Sequence, residues 1–423
     1  MTAPVDTPLV SIAVGVHTGG DQTPADTTIL ALRDARKKRY ELQRVARDIL
    51  CGVPHPAHGS WRTMSCGADV SGGAVAVRYA PEISRASYVG ACICASVWVC
   101  PVCSARISEL RRIEIAAAHA VHAAAGGSAL MLTLTTPHAQ ADELRTLLGR
   151  RRQSGRTGLA GATQRWRNDR ATHAAIRALG RVVWIRASEI TYGAAGWHPH
   201  YHELWLSTCP PDDRIRVAAQ RELLRAWQRA VRNAGLGDAN RYGLDLRWAW
   251  DASAYLAKAG QSVDLTRDAI ASFERGRRWS PARELASAAT KRGRKGSRTP
   301  WQLLRDAGGG DTRARTAWSE YVRATYRMPQ LLWQRGAKAA LAIEDRTDQQ
   351  LAQHVDEESY VLAVIPSDRW RVLLSLPFEW RSRLLDLAED GGPDAIHDFL
   401  DLLEADPEAA RVFAGITTYE VSP

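Results

Sequence analysis

The chain has 423 residues, 45% of them hydrophobic and 24% charged, which is an ordinary composition for a globular protein of two or three domains. The formal net charge is +10, but residues 344–423 hold 18 acidic and 6 basic side chains, so residues 1–343 carry +22. This basic charge favours nucleic acid over acidic membranes or proteins as a partner. An apolar run of membrane-spanning length and a signal-peptide pattern are both absent, so we predict a cytoplasmic location.

The first half of the chain is predicted to contain a flexible terminus, a cysteine-rich region and a domain in which strands alternate with helices. Residues 1–27 are rich in Thr, Pro, Gly and Asp and should be flexible. Residues 28–125 should form a helical, zinc-binding region, with helices at 28–50 and 104–125. Residues 126–262 alternate between strand and helix periodicity, with predicted strands at 129–135, 182–190, 200–206 and 243–248 and predicted helices within 141–179, at 212–234 and from Asp251 onward. This pattern indicates an α+β fold with an antiparallel sheet flanked by helices.

The second half is predicted to be a basic arm followed by a helical region. Residues 263–300 form the arm, because 275–298 holds nine Lys or Arg residues and one Glu. Residues 301–423 become acidic toward the C-terminus and are predicted to be helical at 301–307, 312–326, 348–353, 367–375, 378–388 and 393–403.

Four of the seven cysteines lie within residues 92–103. Such crowding in a reducing compartment favours metal binding over disulfides. Cys100-Pro-Val-Cys103 is a C-x-x-C knuckle, Cys94 adds a third thiolate, and Cys66 can supply a fourth. Four thiolates leave no open coordination position, so we predict a structural zinc site. Cys92 is an alternative to Cys94 or Cys66, and unligated buried thiols are the plainer alternative.

Three histidines alternate in His198-Pro-His200-Tyr-His202. On a strand, alternate residues share one face, so the three imidazoles can converge. Pro199 should interrupt pairing on the His198 side, which makes His200 and His202 the better aligned pair. Glu189, on the preceding strand, should approach them across a hairpin. Two imidazoles and a carboxylate suit a divalent ion with open positions, such as Mn or Mg.

The segment after the last predicted strand contains a candidate nucleophile. Asp251, Tyr255 and Lys258 have helical spacing and should share one face. A phenol with a pKa near 10 needs a nearby cation or metal to act as a nucleophile. Lys258 could steady the phenolate or a phosphate, and Asp251 could serve as a base. Alone, this pattern more often indicates a packed aromatic residue.

Together these motifs resemble the HUH endonuclease superfamily, and more closely the rolling-circle plasmid replication initiators of actinobacteria. The resemblance covers about residues 60–345 and rests on the order and spacing of several motifs. Besides the cysteine, histidine and tyrosine motifs, it includes Leu132-Thr133-Leu134-Thr135 and Arg298-Thr299-Pro300-Trp301-Gln302-Leu303-Leu304. The chain departs from the family pattern at Glu203, where an apolar residue is usual, and at Ala259-Gly260-Gln261, where another Tyr or Lys is common.

The resemblance implies an HUH-type sheet and a metal-dependent nickase and strand transferase that starts plasmid replication. Tyr255 would attack an origin phosphodiester beside a Mn or Mg ion held by His200, His202, Glu189 and His198. A 5′-phosphotyrosine and a 3′-OH primer would result, with Lys258 assisting. Asp251 would activate water for termination.

The expected partners are origin DNA, both duplex and extruded single strand, and a host helicase and polymerase. Basic residues proposed to contact DNA are Arg151, Arg152, Arg165, Arg167, Arg277, Arg278, Lys291, Arg292, Arg294 and Lys295. A solvated basic surface explains them equally well. Alternative functions are another HUH nickase, either a relaxase or a transposase, and a non-enzymatic zinc-containing DNA-binding regulator.

Overall fold

The computed structural model describes residues 24–57, 59–149, 157–210, 212–249, 296–376, 379–406 and 408. These residues form a mixed α+β fold with two antiparallel sheets, which confirms the predicted fold class. The predicted helix from Asp251 and most of the basic arm lie outside the described residues. Among the described helices, none is long and apolar enough to cross a membrane.

The helices in the first half of the chain are α1 (Pro24–Leu50), α2 (Pro101–Ala124), α3 (Leu144–Leu148), α4 (Gly158–Arg167), α5 (Arg170–Ala178) and α6 (Asp213–Asn233). Those in the second half are α7 (Pro300–Gly308), α8 (Thr312–Ala324), α9 (Ala337–Ala340), α10 (Asp348–Gln353), α11 (Ser367–Ser375) and α12 (Trp380–Ala405). Helix α7 begins at a capping box in which Thr299 and Gln302 bond each other's backbone N–H groups. Helix α12 is kinked at Gly392, immediately before Pro393.

A three-stranded sheet brings together an early segment and a late segment of the chain. Its strands are β1 (Ala74–Ala80), β2 (Arg85–Val89) and β8 (Tyr360–Pro366), in the order β2-β1-β8. Arg36 of α1 also forms ion pairs with Asp386 and Glu389 of α12. None of these three strands was predicted. Strand β1 pairs with β8 nearly 300 residues away, and local patterns do not identify such a partner.

The five-stranded sheet contains the histidine strand. It comprises β3 (Ser128–Thr135), β4 (Arg181–Gly193), β5 (Gly196–Ser207), β6 (Leu244–Trp248) and β7 (Leu331–Trp333), in the order β6-β3-β5-β4-β7. Four of these strands were predicted, and β7 was not. The region 301–423, predicted to be helical, therefore contains two strands, β7 and β8, in addition to its helices. Strands β4 and β5 form a tight hairpin, whose Gly196 has a φ of +85° and lies against the backbone of Ala139 and Gln140.

Pairing between β4 and β5 continues through Pro199 to Gly196, so the predicted interruption at Pro199 is wrong. Strand β3 pairs with β5 only as far as His200. Beyond that residue, β5 pairs with β4 alone among the described strands, and a residue without an N–H is tolerated at such an edge.

The two faces of this sheet are covered by different helices. Tyr201 and Trp205 of β5 pack with apolar residues of α4, α5 and α6. Leu204 and Leu206, which point to the opposite face, pack with α2 and α9. Because side chains alternate along a strand, His200 and His202 lie on the α2 side.

Candidate metal centres

Three side chains predicted to bind a metal converge at one end of the five-stranded sheet. Glu189 of β4 pairs directly with His200 of β5, and His202 lies two residues farther along the same face. The carboxylate and one ring nitrogen of each histidine lie within 4.8 Å of one another. Strand pairing therefore fixes the relative positions of these three groups.

Each imidazole directs one nitrogen at Glu189 and the other at a different partner. The Nε2 atoms of His202 and His200 lie 3.1 and 3.3 Å from Glu189 Oε2. His202 Nδ1 lies 3.1 Å from Thr133 Oγ1, and His200 Nδ1 lies 3.2 Å from the carbonyl oxygen of His198. A proton held at each Nδ1 leaves both Nε2 lone pairs available, as in metal sites whose ligands are oriented by outer hydrogen bonds.

The distances among these three groups fit a divalent ion. Two ligands each about 2.1 Å from one ion, at angles between 90° and 110°, lie about 3.0–3.4 Å apart. The two Nε2 to Oε2 distances fall within that interval. Burial opposes ionisation of Glu189, but hydrogen bonds and charges from His200 and His202 outweigh it and hold the pKa of the carboxyl well below its usual range.

His198 lies outside this three-residue group. Its ring stacks between His138 and His200, with centroids 4.8 and 4.9 Å away. Burial, together with the neighbouring histidines, lowers the pKa of His198 to about 4, so its imidazole is neutral at pH 7. His138 was not predicted to lie near this site, although it follows the Leu132–Thr135 motif by only three residues.

Glu203, the departure from the family pattern, belongs to a cluster on the opposite face of the sheet. Its side chain is fully buried. Glu203 Oε1 accepts hydrogen bonds from Arg186 at 2.7 Å and Arg167 at 3.0 Å, and Oε2 accepts one from Trp205 at 2.7 Å. Burial would raise the pKa of this carboxyl, but Arg186 and Arg167 lower it to about 2. Glu203 is therefore an ionised structural residue that points away from the histidines.

The four predicted zinc ligands lie together in a second cluster. Cys66, Cys94, Cys100 and Cys103 are all buried and unpaired, and they could hold a metal ion. Sulfur atoms of Cys66 and Cys100, Cys66 and Cys103, and Cys94 and Cys103 lie 3.8, 3.6 and 3.7 Å apart. Tetrahedral zinc with Zn–S bonds of about 2.3 Å places its sulfurs about 3.8 Å apart, so the geometry fits zinc. Cys92 is exposed and lies outside the cluster, which removes the alternative ligand.

Two N–H groups near the cysteine cluster donate to its sulfur atoms and would stabilise thiolates. The backbone N–H of Cys94 donates to Cys66 Sγ at 3.4 Å, and Gln43 of α1 donates to Cys100 Sγ at 3.2 Å. Neighbouring thiols and burial raise the pKa of Cys103 far above its usual value. Hydrogen bonds from Cys100 and Cys103 lower the pKa of Cys94, and a bound zinc ion would supply the positive charge that a thiolate cluster needs.

The predicted tyrosine motif, with Asp251, Tyr255 and Lys258, lies outside the described residues. So do the predicted DNA contacts Arg151, Arg152, Arg277, Arg278, Lys291, Arg292, Arg294 and Lys295.

Of the remaining two predicted contacts, Arg165 is exposed on α4, whereas Arg167 lies over the Trp184 ring, 3.7 Å from its centroid. The Arg167 guanidinium also donates a hydrogen bond to Glu203, so this half-buried side chain has partners within the protein, and its contact with DNA stays a prediction.

Comparison with known proteins identifies relatives in Streptomyces. The chain is 28% identical over 394 residues to "Protein rep" of Streptomyces lividans, covering 78% of this chain and 83% of that protein. It is 35% identical over 130 residues to "Neomycin resistance protein" of Streptomyces cyanogenus, covering 27% of this chain and 30% of that protein. No family model and no solved structure matches. Over most of its length, the chain is thus similar to a curated Rep protein.

Proposed function

We propose that this protein is a plasmid replication initiator that nicks one strand of its origin DNA by the rolling-circle mechanism. The observation that carries the proposal is the convergence of Glu189, His200 and His202 on one face of an antiparallel sheet. Similarity to the Streptomyces lividans protein along 78% of the chain supports the same function.

Glu189, His200 and His202 would hold a divalent ion, Mn or Mg, and would leave coordination positions open toward the DNA. Such an ion polarises a phosphate and orients it for in-line attack. Thr133 and the carbonyl oxygen of His198 would fix the ring orientation of the two histidines. Rigid strands would thereby keep the scissile phosphate in one position relative to the nucleophile.

Tyr255 is the proposed nucleophile, and the length of chain before it permits the reaction. Trp248, the last residue of β6, lies opposite Leu130, while His202 lies opposite Thr133 on the other side of β3. The chain continues to Ala249, whose N–H donates to the carbonyl oxygen of Ala129. Four residues along the sheet and two strands across separate Ala249 from His202 by about 16 Å. Tyr255 is six positions after Ala249; two extended positions and four in the predicted helix span about 13 Å, and the tyrosine side chain adds about 6 Å. Tyr255 can therefore reach the histidines.

In the proposed reaction, the phenolate oxygen of Tyr255 attacks phosphorus and displaces the 3′ oxygen of the preceding nucleotide. The products are a 5′-phosphotyrosine and a free 3′-OH, which a host polymerase would extend. Lys258 would stabilise the phenolate or the phosphate, and Asp251 would activate water for termination. The sequence has no G-x-x-x-x-G-K-[ST] loop, so strand separation would depend on a host helicase.

The test is incubation of the protein with Mn or Mg and a supercoiled plasmid carrying its origin, followed by a denaturing gel. We expect nicked DNA bearing protein at its 5′ end. Tyr255→Phe should abolish this adduct, and His202→Ala should greatly reduce it, while both variants still bind the origin. Origin binding by wild-type protein without any adduct would instead support a DNA-binding regulator.

A further inference from the structure

A deep cleft lies on the face of the five-stranded sheet opposite the histidines. Its volume is about 900 Å³, near the upper end of the usual range for ligand pockets. The strand residues at its base are Ser188, Tyr201 and Leu332. Ser188 and Tyr201 pair with each other and are the sequence neighbours of Glu189 and His200, which point to the other face. The cleft is therefore separated from the candidate metal centre by the thickness of one sheet.

The lining of this cleft is basic. Arg145 follows the first residue of α3, Arg323 lies near the end of α8, and Arg327 lies just beyond it, all three exposed. Among the residues that the structure describes, no acidic side chain lines the cleft and none pairs with these three arginines. The nearby Glu320 of α8 is occupied, since its carboxylate accepts hydrogen bonds from the Leu144 N–H and the Trp197 indole.

Aromatic rings accompany the arginines. Tyr326 and His55 line the cleft and contact each other edge to face, with centroids 5.0 Å apart. The Arg327 guanidinium lies 5.3 Å from the centre of the Tyr326 ring. Arg327 has a φ of +58°, a left-handed conformation that turns the chain from α8 toward β7. The turn therefore brings a charged group and a ring to the same wall of the cleft.

Arginines beside aromatic rings in a concave site suit a single nucleic-acid strand. Guanidinium groups bind phosphates, and rings stack on bases that are exposed only when the strand is unpaired. A duplex presents its phosphates on a convex surface about 20 Å wide and keeps its bases stacked inside, so it cannot enter a cleft of this size.

We propose that this cleft binds a second segment of single-stranded DNA, distinct from the segment at the candidate metal centre. The proposal rests on the proposed function, because nicking at an origin leaves an unpaired strand close to the protein. Arg145, Arg323 and Arg327 bind its phosphates, and Tyr326 stacks on one of its bases. The melted strand is thus held on both faces of the sheet.

The test measures binding of fluorescein-labelled (dT)12 by fluorescence anisotropy over a range of salt concentrations. The variant combines Arg145→Gln, Arg323→Gln and Arg327→Asn, since Asn tolerates the left-handed backbone at 327. A matched control removes the same charge from exposed positions on α6, with Arg214→Gln, Arg221→Gln and Arg225→Gln. Urea unfolding midpoints establish that both variants fold.

We expect the cleft variant to bind (dT)12 at least about tenfold more weakly, and the slope of log K against log salt to fall by about 2, since each phosphate contact on a single strand contributes about 0.7. Tyr326→Leu should weaken binding about tenfold with an unchanged slope, because stacking releases no counterions. The control should match wild type. Unchanged affinity and slope in the cleft variant would overturn the proposal, as would an equal loss of affinity for a duplex of the same length.

Adduct formation and (dT)12 binding, measured together, separate this proposal from the proposed function. If wild-type protein forms no covalent adduct while (dT)12 binding depends on the three arginines, the cleft proposal stands and the nickase proposal fails. If the adduct forms and the cleft variant binds (dT)12 normally, the nickase proposal stands and the cleft proposal fails.

Discussion

Replacing Glu203 with Gln should destabilise the protein severely, although Glu203 lies next to a candidate metal ligand in sequence. Glu203 is the acidic partner of Arg186 and Arg167, and Arg181 adds a third positive charge nearby. Gln keeps the size of the side chain but removes its charge. The variant therefore leaves buried guanidinium groups without a counter-charge.

The magnitude follows from the pKa of the buried carboxyl. Lowering that pKa from 4.5 to about 2 corresponds to roughly 3 kcal/mol of favourable interaction with the charged form. Removal of one partner from a buried ion pair usually lowers the free energy of unfolding by about 3–5 kcal/mol, which agrees with this value. Burial is unfavourable for the cations, since it lowers the pKa of Arg167 to about 10. Adding Arg186→Met to Glu203→Gln should therefore restore part of the lost stability.

The assay is urea unfolding at pH 7, with Glu222→Gln as the control. Glu222 is half exposed and pairs with the exposed Arg225, so its loss should cost less than about 0.5 kcal/mol. Because the folded-state pKa of Glu203 is depressed, its contribution is complete above pH 4.5 and is lost as the pH falls toward 2. A loss below about 1 kcal/mol for Glu203→Gln, or a further loss on adding Arg186→Met, would refute this reasoning.

Three other predictions concern the remaining sites. Cys94→Ser should lose bound zinc, measured by elemental analysis of the purified protein, whereas Cys92→Ser should keep one equivalent; equal zinc in both would exclude the proposed ligand set. His202→Ala should lose Mn-dependent nicking but keep origin binding in a gel-shift assay, and retained nicking would contradict its role. His119 is buried, and burial first and His122 second lower its pKa to about 4, so stability should fall by up to roughly 3 kcal/mol as the pH drops from 6.5 toward 4. His119→Leu should flatten this dependence in urea unfolding at pH 7 and pH 5, and an unchanged slope would mean that another group is responsible.

Local sequence patterns predicted the elements that carry the candidate sites. The alternation of His198, His200 and His202 specifies a shared strand face, and a short hairpin necessarily brings Glu189 to that strand. The C-x-x-C spacing likewise predicted the knuckle at the start of α2, where Cys100 precedes the helix. These features depend on backbone periodicity and local spacing, which can be recognised in a single sequence.

Features that depend on distant contacts were not predictable in this way. Strand β1 pairs with β8 across the length of the chain, and Glu203 meets Arg167 from another element. Charge alone led to the prediction that Arg167 contacts DNA, whereas its hydrogen bond to Glu203 depends on packing and leaves no local pattern in the sequence. The sequence predicted Cys94 as a ligand and left Cys92 open as an alternative, which only the positions of the four sulfurs exclude.

The most direct test of the central claim is to locate the covalent bond between protein and DNA. After reaction with an origin oligonucleotide and Mn, nuclease and trypsin digestion should leave nucleotide on one peptide. Cleavage after Arg247 and Lys258 releases residues 248–258, in which Tyr255 is the single tyrosine. We predict that mass spectrometry will find this peptide carrying a 5′-linked nucleotide at Tyr255. A nucleotide on any other residue, or nicked DNA with no modified peptide, would contradict the account.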